Sequence, residues 1–160
     1  MVPIIREMEH AVNEDALEIK CYGDQCFMQT EKAYRLPLRI DLKAKTDSTN
    51  IRLYFHRGEV IFNWECNMPE LRIHDICTGE NYGYPGRGLI PQNEYVDITW
   101  IIEKEYMAVL VNGELRHGGT QYTYVLQQKD DPALIIEDHV RVSSAWGSTV
   151  HVKSLKVREL

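Results

Sequence analysis

The chain alternates apolar and polar residues with a period close to two along most of its length. Segments 16–22 and 36–45 each place an apolar side chain at every second position, with charged residues between them. Alternation of this kind predicts β-strands that have one buried face and one face in water. No segment repeats apolar residues at the spacing of an amphipathic helix. We therefore predict strands and turns throughout.

The most informative segment is a hairpin predicted over residues 51–65. A two-residue turn at Arg57-Gly58 pairs His56 with Glu59 and Ile51 with Trp64. This register makes one face wholly apolar, and a slip by one residue would mix the two faces. The apolar face then carries Ile51, Leu53, Phe55, Val60, Phe62 and Trp64, and the polar face carries Arg52, Tyr54, His56, Glu59, Ile61, Asn63 and Glu65.

A further strand and a glycine-rich segment follow this hairpin. In the strand, Leu71 and Ile73 point to one side, and the other side carries Arg72 and His74. Residues 78–88 hold four glycines and a proline. We predict a loop there, since such residues favour turns and long loops on β-scaffolds often carry binding residues. Its candidate rim contacts are Tyr82, Tyr84 and Arg87.

The second half of the chain repeats the pattern. A hairpin is predicted over 95–111, and Asn112-Gly113 is the favoured signature of a second tight turn. The last strand, 149–157, changes phase at Lys153-Ser154, which predicts a β-bulge. Many short strands without helices must bury their apolar faces on one another. The predicted fold class is therefore all-β, a two-sheet antiparallel jelly-roll sandwich that forms a single domain over residues 1–160.

The net charge of the chain limits the classes of partner that we expect. The chain has 160 residues, a formal net charge of −6 and a pI near 5.5. Nucleic acids and anionic membranes attract clustered Lys and Arg, so we expect neither as the main partner. The sequence shows no signal peptide and no long apolar run, so we expect a cytoplasmic location.

The chain has four cysteines: Cys21, Cys26, Cys66 and Cys77. Without an export signal we predict reduced thiols, because disulfides are rare in reducing compartments. If one bridge did form, Cys66–Cys77 is the pairing we expect. The cysteine spacing matches no common zinc site, and we predict neither a metal nor a cofactor.

Two segments carry a family resemblance. Ile98–Glu103 followed by Val109–Glu114, with its strand ending in Val-Asn-Gly, resembles the concanavalin A-like lectin/glucanase jelly roll, which includes laminin-G-like and galectin-like domains. Val142–Thr149 resembles the last strands of the same families. The resemblance covers about two thirds of the chain, and it implies a glycan-binding domain. An order similar to that of the galectin site is followed by His56, Arg57, Asn63, Trp64, Glu65 and Arg72, although the galectin His-x-Asn-x-Arg strand is absent.

The polar face of the predicted hairpin is the candidate site. Sugar recognition requires planar polar groups that hydrogen-bond adjacent hydroxyls, together with an aromatic ring. We predict that a glycan or another small polar ligand binds there, with Trp146 at a turn as a further contact. The predicted ligand-binding residues are Arg52, Tyr54, His56, Asn63, Glu65, Arg72, His74 and Trp146. The alternative is a solvated face laced with surface ion pairs.

Catalysis receives less support from the sequence. No alternating Glu-x-Asp-x-Glu strand occurs, and Glu137-Asp138-His139 cannot place all three side chains on one strand face. We predict no catalytic residues and favour a non-enzymatic lectin-like domain. Two alternatives stay open: a protein-interaction or sensor module that forms a homodimer, and a glycoside hydrolase-like enzyme built from distant residues.

Overall fold

The computed structural model describes residues 1–4, 8–13, 15–75, 79–104, 106–119 and 135–160. These residues form strands and turns, and none of them is helical. This described part accordingly has no helix with the length and hydrophobicity that crossing a bilayer requires. In chain order the strands are β1 (Val2–Ile4), β2 (Met8–Asn13), β3 (Ala16–Cys21), β4 (Phe27–Arg35), β5 (Leu38–Thr46), β6 (Ile51–Phe55), β7 (Gly58–Phe62), β8 (Leu71–Asp75), β9 (Asn81–Tyr84), β10 (Val96–Ile102), β11 (Met107–Val111), β12 (Glu114–Gly119), β13 (Glu137–Ser143) and β14 (Thr149–Glu159).

The strands form two seven-stranded sheets. The first sheet has the order β1-β4-β13-β6-β7-β8-β9, and the second has the order β12-β11-β10-β5-β14-β3-β2. The neighbouring strands are antiparallel, as in the β6–β7 and β10–β11 hairpins. The predicted all-β, two-sheet antiparallel jelly-roll sandwich is confirmed.

The core lies between the two sheets because each contributes the apolar half of its alternation. Strand β5 shows this directly, with Leu38, Ile40 and Leu42 at most 1% exposed and the intervening residues half-buried. Trp100, which alternates with Ile98 and Ile102 along β10, is 0% exposed and lies in the core. Full burial of one such large side chain stabilises the fold by about 1.5–3 kcal/mol.

The β6–β7 hairpin keeps its predicted faces but not its predicted turn. The turn is His56-Arg57, and Phe55 pairs with Gly58 instead of Val60. Every cross-strand partner is thereby displaced by two residues, and a displacement of two leaves each side chain on its predicted face. His56 has a φ of 55°, so a residue other than glycine occupies the left-handed position of this turn.

Trp64 is a correction to the predicted apolar face. Strand β7 ends at Phe62, and Asn63 has a φ of 49°, which turns the chain out of the strand. Trp64 therefore no longer follows the alternation, and it is half-buried instead of lying in the core.

Two other local predictions are confirmed, whereas four strands were not predicted. The Asn112-Gly113 turn is confirmed, with a positive φ at both residues, and so is the bulge in the last strand, where the register shifts between Val152 and Ser154. The glycine-rich loop contains a strand, β9, that the sequence did not predict. Strands β1, β2 and β4 were also missed.

The cysteine prediction is wrong for one pair. The structure joins Cys21, at the end of β3, to Cys26, just before β4, by a disulfide. The bridge spans the chain crossing from the second sheet to the first. Cys66 is free and exposed, and Cys77, its predicted alternative partner, lies outside the described residues.

Candidate functional site

The outer face of the first sheet, opposite the core, gathers polar and aromatic side chains from five neighbouring strands. Strand β8 pairs beside the hairpin, with His74 opposite Glu59 and Arg72 opposite Ile61. Strand β13 pairs on the other side, with Arg141 opposite Tyr54. The side chains of this outer face are Phe27, Gln29, Arg52, Tyr54, Glu59, Ile61, Arg72, His74, Arg141 and Ser143, joined by Trp64 and Glu65 from the segment after β7.

Arg52 lies at the centre of this face. Its Nη1 donates to Glu59 Oε1 at 3.2 Å, its Nη2 to Glu65 Oε2 at 3.1 Å, and its Nε to Asn50 Oδ1 at 2.9 Å. The second oxygen of Glu59 lies 3.0 Å from His74 Nδ1. Burial lowers the pKa of Arg52, but the Glu59 and Glu65 carboxylates outweigh that effect and raise it overall. The guanidinium is therefore a fixed, fully charged centre.

Trp64 and Arg72 form a stacked pair beside this centre. The Arg72 guanidinium carbon lies 4.1 Å from the centroid of the Trp64 ring, and Arg72 Nη1 donates to Glu70 Oε1 at 3.4 Å. Glu70 occupies the space above Gly83, where a Cβ would collide with its carboxylate. Glycine at position 83 thus allows the carboxylate to approach β9 and hold Arg72 over the indole. A cation held on an indole face in this way is stabilised by about 0.5–2 kcal/mol.

A second aromatic group lies on the β13 side. The rings of Phe27 and Tyr54 are 5.9 Å apart, and the Arg141 guanidinium lies 5.1 Å from the Phe27 centroid. Arg141 Nη2 donates to Asp138 Oδ1 at 3.1 Å. Burial and the Glu59 carboxylate raise the pKa of Tyr54, so its phenol stays protonated and shares a 3.2 Å hydrogen bond with Ser143.

The structure brings together five of the eight predicted ligand-binding residues: Arg52, Tyr54, Glu65, Arg72 and His74. Asn63 has a different place: it is 0% exposed, and its side-chain amide bonds to backbone groups of neighbouring segments. Its Nδ2 donates to the carbonyls of Ser48 and Ile90, and its Oδ1 accepts from the Ile90 amide. These bonds make Asn63 a structural clamp on the segment before β10.

His56 and Trp146 lie apart from the central group. His56 is in the β6–β7 turn, where burial lowers its pKa. Trp146 is in the turn after β13, 54% exposed, with a φ of 52°. Its amide donates to the carbonyl of Gly23 at 3.1 Å, so the turn that presents Trp146 is tied to the loop closed by the Cys21–Cys26 disulfide.

The sequence reasoning missed Phe27, Gln29 and Arg141. Arg141 had a readable signal, since it lies between the apolar residues Val140 and Val142, an alternation typical of a strand. Its neighbours were not readable, because β4 was missed and the pairing of β13 with β4 and β6 joins residues that are distant in sequence.

Metal ligation finds no support in the described part of the chain. Within those ranges no three His, Cys, Asp or Glu side chains converge on a point that could hold an ion. The arrangement of Arg52, Glu59, Glu65 and His74 instead consists of mutually paired donors and acceptors. Such a set can present hydrogen bonds to a bound molecule without first rearranging.

No protein-family model and no curated protein matches the sequence. Solved structures do match. The carbohydrate-binding module CBM66 from Bacillus subtilis has a TM-score of 0.69 at 9% identity, covering 95% of this chain and 92% of that chain. A galectin from Caenorhabditis elegans has a TM-score of 0.56 at 10% identity, covering 88% and 96%. A β-1,3-glucanase from Mycobacterium marinum has a TM-score of 0.59 at 11% identity, covering 91% and 75%. At these identities the likeness is one of fold.

Proposed function

The chain has the concanavalin A-like lectin/glucanase fold, and from that premise we propose that it is a non-catalytic domain that binds a glycan on the outer face of its first sheet. The observation that carries the proposal is the connected set of buried and half-buried ion pairs and aromatic rings on this face. A face that only met water would have no need to remove charges such as Arg52 and Glu59 from solvent.

Charge matching favours a neutral glycan. Each arginine of the outer face has a carboxylate partner: Arg52 pairs with Glu59 and Glu65, Arg72 with Glu70, and Arg141 with Asp138. Matched pairs present donors and acceptors side by side, which suits adjacent sugar hydroxyls. The Trp64 ring, held by Arg72, supplies the apolar surface against which the C–H face of a pyranose packs.

The same pairing argues against glycoside hydrolysis on this face. A glycosidase divides the roles of two carboxyl groups, one of which donates a proton. Glu59 and Glu65 instead share a single guanidinium. That arrangement gives the two carboxylates the same role, and we propose that both orient a ligand.

The experiment is a glycan array probed with the purified chain, followed by calorimetric titration of the strongest neutral hit. We expect Trp64→Ala and Arg72→Ala each to weaken binding by about 1–3 kcal/mol. The chain offers a matched control on its other sheet, where Lys45 lies 4.8 Å from the ring of Tyr95. Tyr95→Ala removes a similar cation–aromatic pair and should leave affinity unchanged. Equal losses in all three variants, or no neutral hit on the array, would contradict the proposal.

A second candidate function is self-association through a sheet edge. Strand β2 is an edge of the second sheet and exposes 76% of Val12, and an exposed edge strand can pair with a strand of another molecule. Light scattering across a concentration series tests this candidate. A dimer that Val12→Lys converts to a monomer would support it, and a monomer at all concentrations would remove it.

A further inference from the structure

A groove of about 480 Å³ lies where the edges of the two sheets meet. Strand β9 ends the first sheet and β12 ends the second. The groove is lined by Tyr84, Pro85, Arg87, Leu115, Arg116 and His117. Its volume falls within the range of ligand pockets, about 300–1,000 Å³. Residues 84–87 belong to the glycine-rich segment that the sequence singled out for binding, and the outer-face site does not use them.

The charge of this groove differs from that of the outer face. Two arginines and a histidine line it, and none of its described lining residues is acidic. Arg116 Nε lies 3.3 Å from the exposed Glu114 carboxylate. Arg87 is exposed, and the structure gives its guanidinium no ion pair with any described residue. The groove therefore carries a surplus of positive charge, whereas each arginine of the outer face is matched.

Both walls of the groove are held in place. Arg116 Nη1 donates to the carbonyl oxygens of Arg87 at 2.8 Å and of Leu89 at 3.0 Å, which ties β12 to the segment after β9. The rings of Tyr84 and His117 stack across the two sheets at 4.6 Å. Gly88 contributes as well, because a Cβ there would collide with the backbone of Glu70. A ligand thus meets a preformed surface, which reduces the entropy that binding must overcome.

The lining combines two chemistries. Guanidinium groups form strong, charge-assisted hydrogen bonds with carboxylates. The exposed apolar surface of Leu115, 52% accessible, lies beside them with Pro85 and the Tyr84 ring. A small inorganic anion would use only the arginines, whereas a sugar acid offers both a carboxylate and an apolar C–H face. We propose that this groove is a second binding site, specific for a carboxylate-bearing saccharide of the uronic acid type. The proposal is independent of the outer-face site.

The test titrates the full chain with trigalacturonic acid, with its methyl ester and with sodium sulfate, and follows binding by calorimetry. We expect the acid to bind, the neutral ester to bind about tenfold more weakly or not at all, and sulfate to bind weakly. Equal binding of the acid and its ester would overturn the proposal, because the carboxylate would then contribute nothing. Binding of sulfate as tight as that of the acid would overturn it too, since the site would then recognise a bare anion.

Two matched pairs of variants locate the binding. Leu115→Glu places a negative charge in the groove and should reduce affinity about tenfold or more, whereas Leu115→Gln removes only the apolar contact and should reduce affinity clearly less. Arg87→Gln should weaken binding about tenfold, whereas Arg158→Gln, which removes an exposed cation from β14, should not. Because positions 87, 115 and 158 are exposed, each variant should keep the melting temperature of the parent chain.

A third variant separates this site from the proposed glycan face. Trp64→Ala should leave trigalacturonic acid binding unchanged. If Trp64→Ala abolished that binding while Leu115→Glu did not, the acid would be binding on the outer face of the first sheet, and the groove would not be the site. Failure of the neutral-glycan experiment leaves these results unaffected, since the ligands and the decisive residues differ.

Discussion

The outer faces of the two sheets have the same alternation but hold their charges differently. On the first sheet, the side chains of Arg52 and Glu59 are 7% and 4% exposed. On the second sheet, Arg39 and Asp41 are 39% and 41% exposed, and Lys43 and Asp97 are 42% and 66% exposed. One face thus has a desolvated network, and the other has ordinary surface pairs.

The difference in exposure implies a difference in the free energy of desolvation that folding must offset on each face. Exposed ion pairs contribute about 0–1 kcal/mol each and are easily gained or lost. Removing charges from water costs several kcal/mol per ion, which good pairing only offsets. The pairs on the second sheet fit the description of a solvated face laced with surface ion pairs, which was the alternative for the hairpin face. The network around Arg52 does not, and it is the feature that most favours ligand recognition on the first sheet.

The largest effect should come from breaking the network at its centre. Arg52→Met leaves the buried Glu59 carboxylate without its main partner, and we expect a loss of about 3–5 kcal/mol in the free energy of unfolding. Arg39→Met, on the second sheet, should cost less than about 1 kcal/mol. Urea denaturation of both variants measures the contrast. Equal losses would mean that the two faces do not differ as described.

Asn63→Ala should have the next largest effect, a loss in the free energy of unfolding. The substitution leaves the Ile90 amide and two carbonyl oxygens without their partner, and we expect a loss of about 3 kcal/mol. Asn67→Ala, at an exposed position, is the control and should cost little. Thermal denaturation decides the matter, and a stable Asn63→Ala variant that has lost glycan binding would restore Asn63 as a ligand residue.

Reducing the disulfide tests the link between the sheets. The bridge closes a short loop, with a sequence separation of 5, and such a loop stabilises the fold by about 2 kcal/mol. A reductant should therefore lower the melting temperature by about 4–8 °C, and Cys66→Ser should not alter that response. An unchanged melting temperature would return Cys21 and Cys26 to the reduced state predicted from the sequence. A clear fall would favour an oxidising compartment over a cytoplasmic one.

The smallest effect concerns pH at the rim of the first sheet. Burial lowers the pKa of His56 below its ordinary 6.5, so the unfolded chain binds more protons at this residue and stability falls as the pH drops through about 6.5. His56→Asn removes that contribution, and asparagine suits the positive φ. Melting temperatures at about pH 7 and pH 5 should differ less in the variant than in the parent. An identical difference would show that His56 does not contribute.

Local patterns determined much of this molecule. The period of two specified strands with one buried face, and the apolar positions of β5, β6 and β7 identified the core before any pairing was known. The Asn112-Gly113 turn and the bulge after Val152 were equally local, because backbone conformation there follows from the residues themselves. Even the misplaced turn at Arg57-Gly58 left Arg52, Tyr54, Glu59 and Ile61 on the predicted polar face, since a displacement of two residues preserves the side-chain period.

Only the tertiary structure decided which polar residues come together on one face. Asn63 and Arg52 both belong to the predicted polar face, yet Asn63 clamps the Ile90 backbone while Arg52 holds two carboxylates on the outer face. The partners of Arg141 on β4 are more than 100 positions away in sequence, and the groove joins the edges of two different sheets. Alternation along a strand predicts on which face of the sheet a side chain lies. Which strands pair, and where each strand ends, depends on contacts between distant segments that a local pattern does not encode.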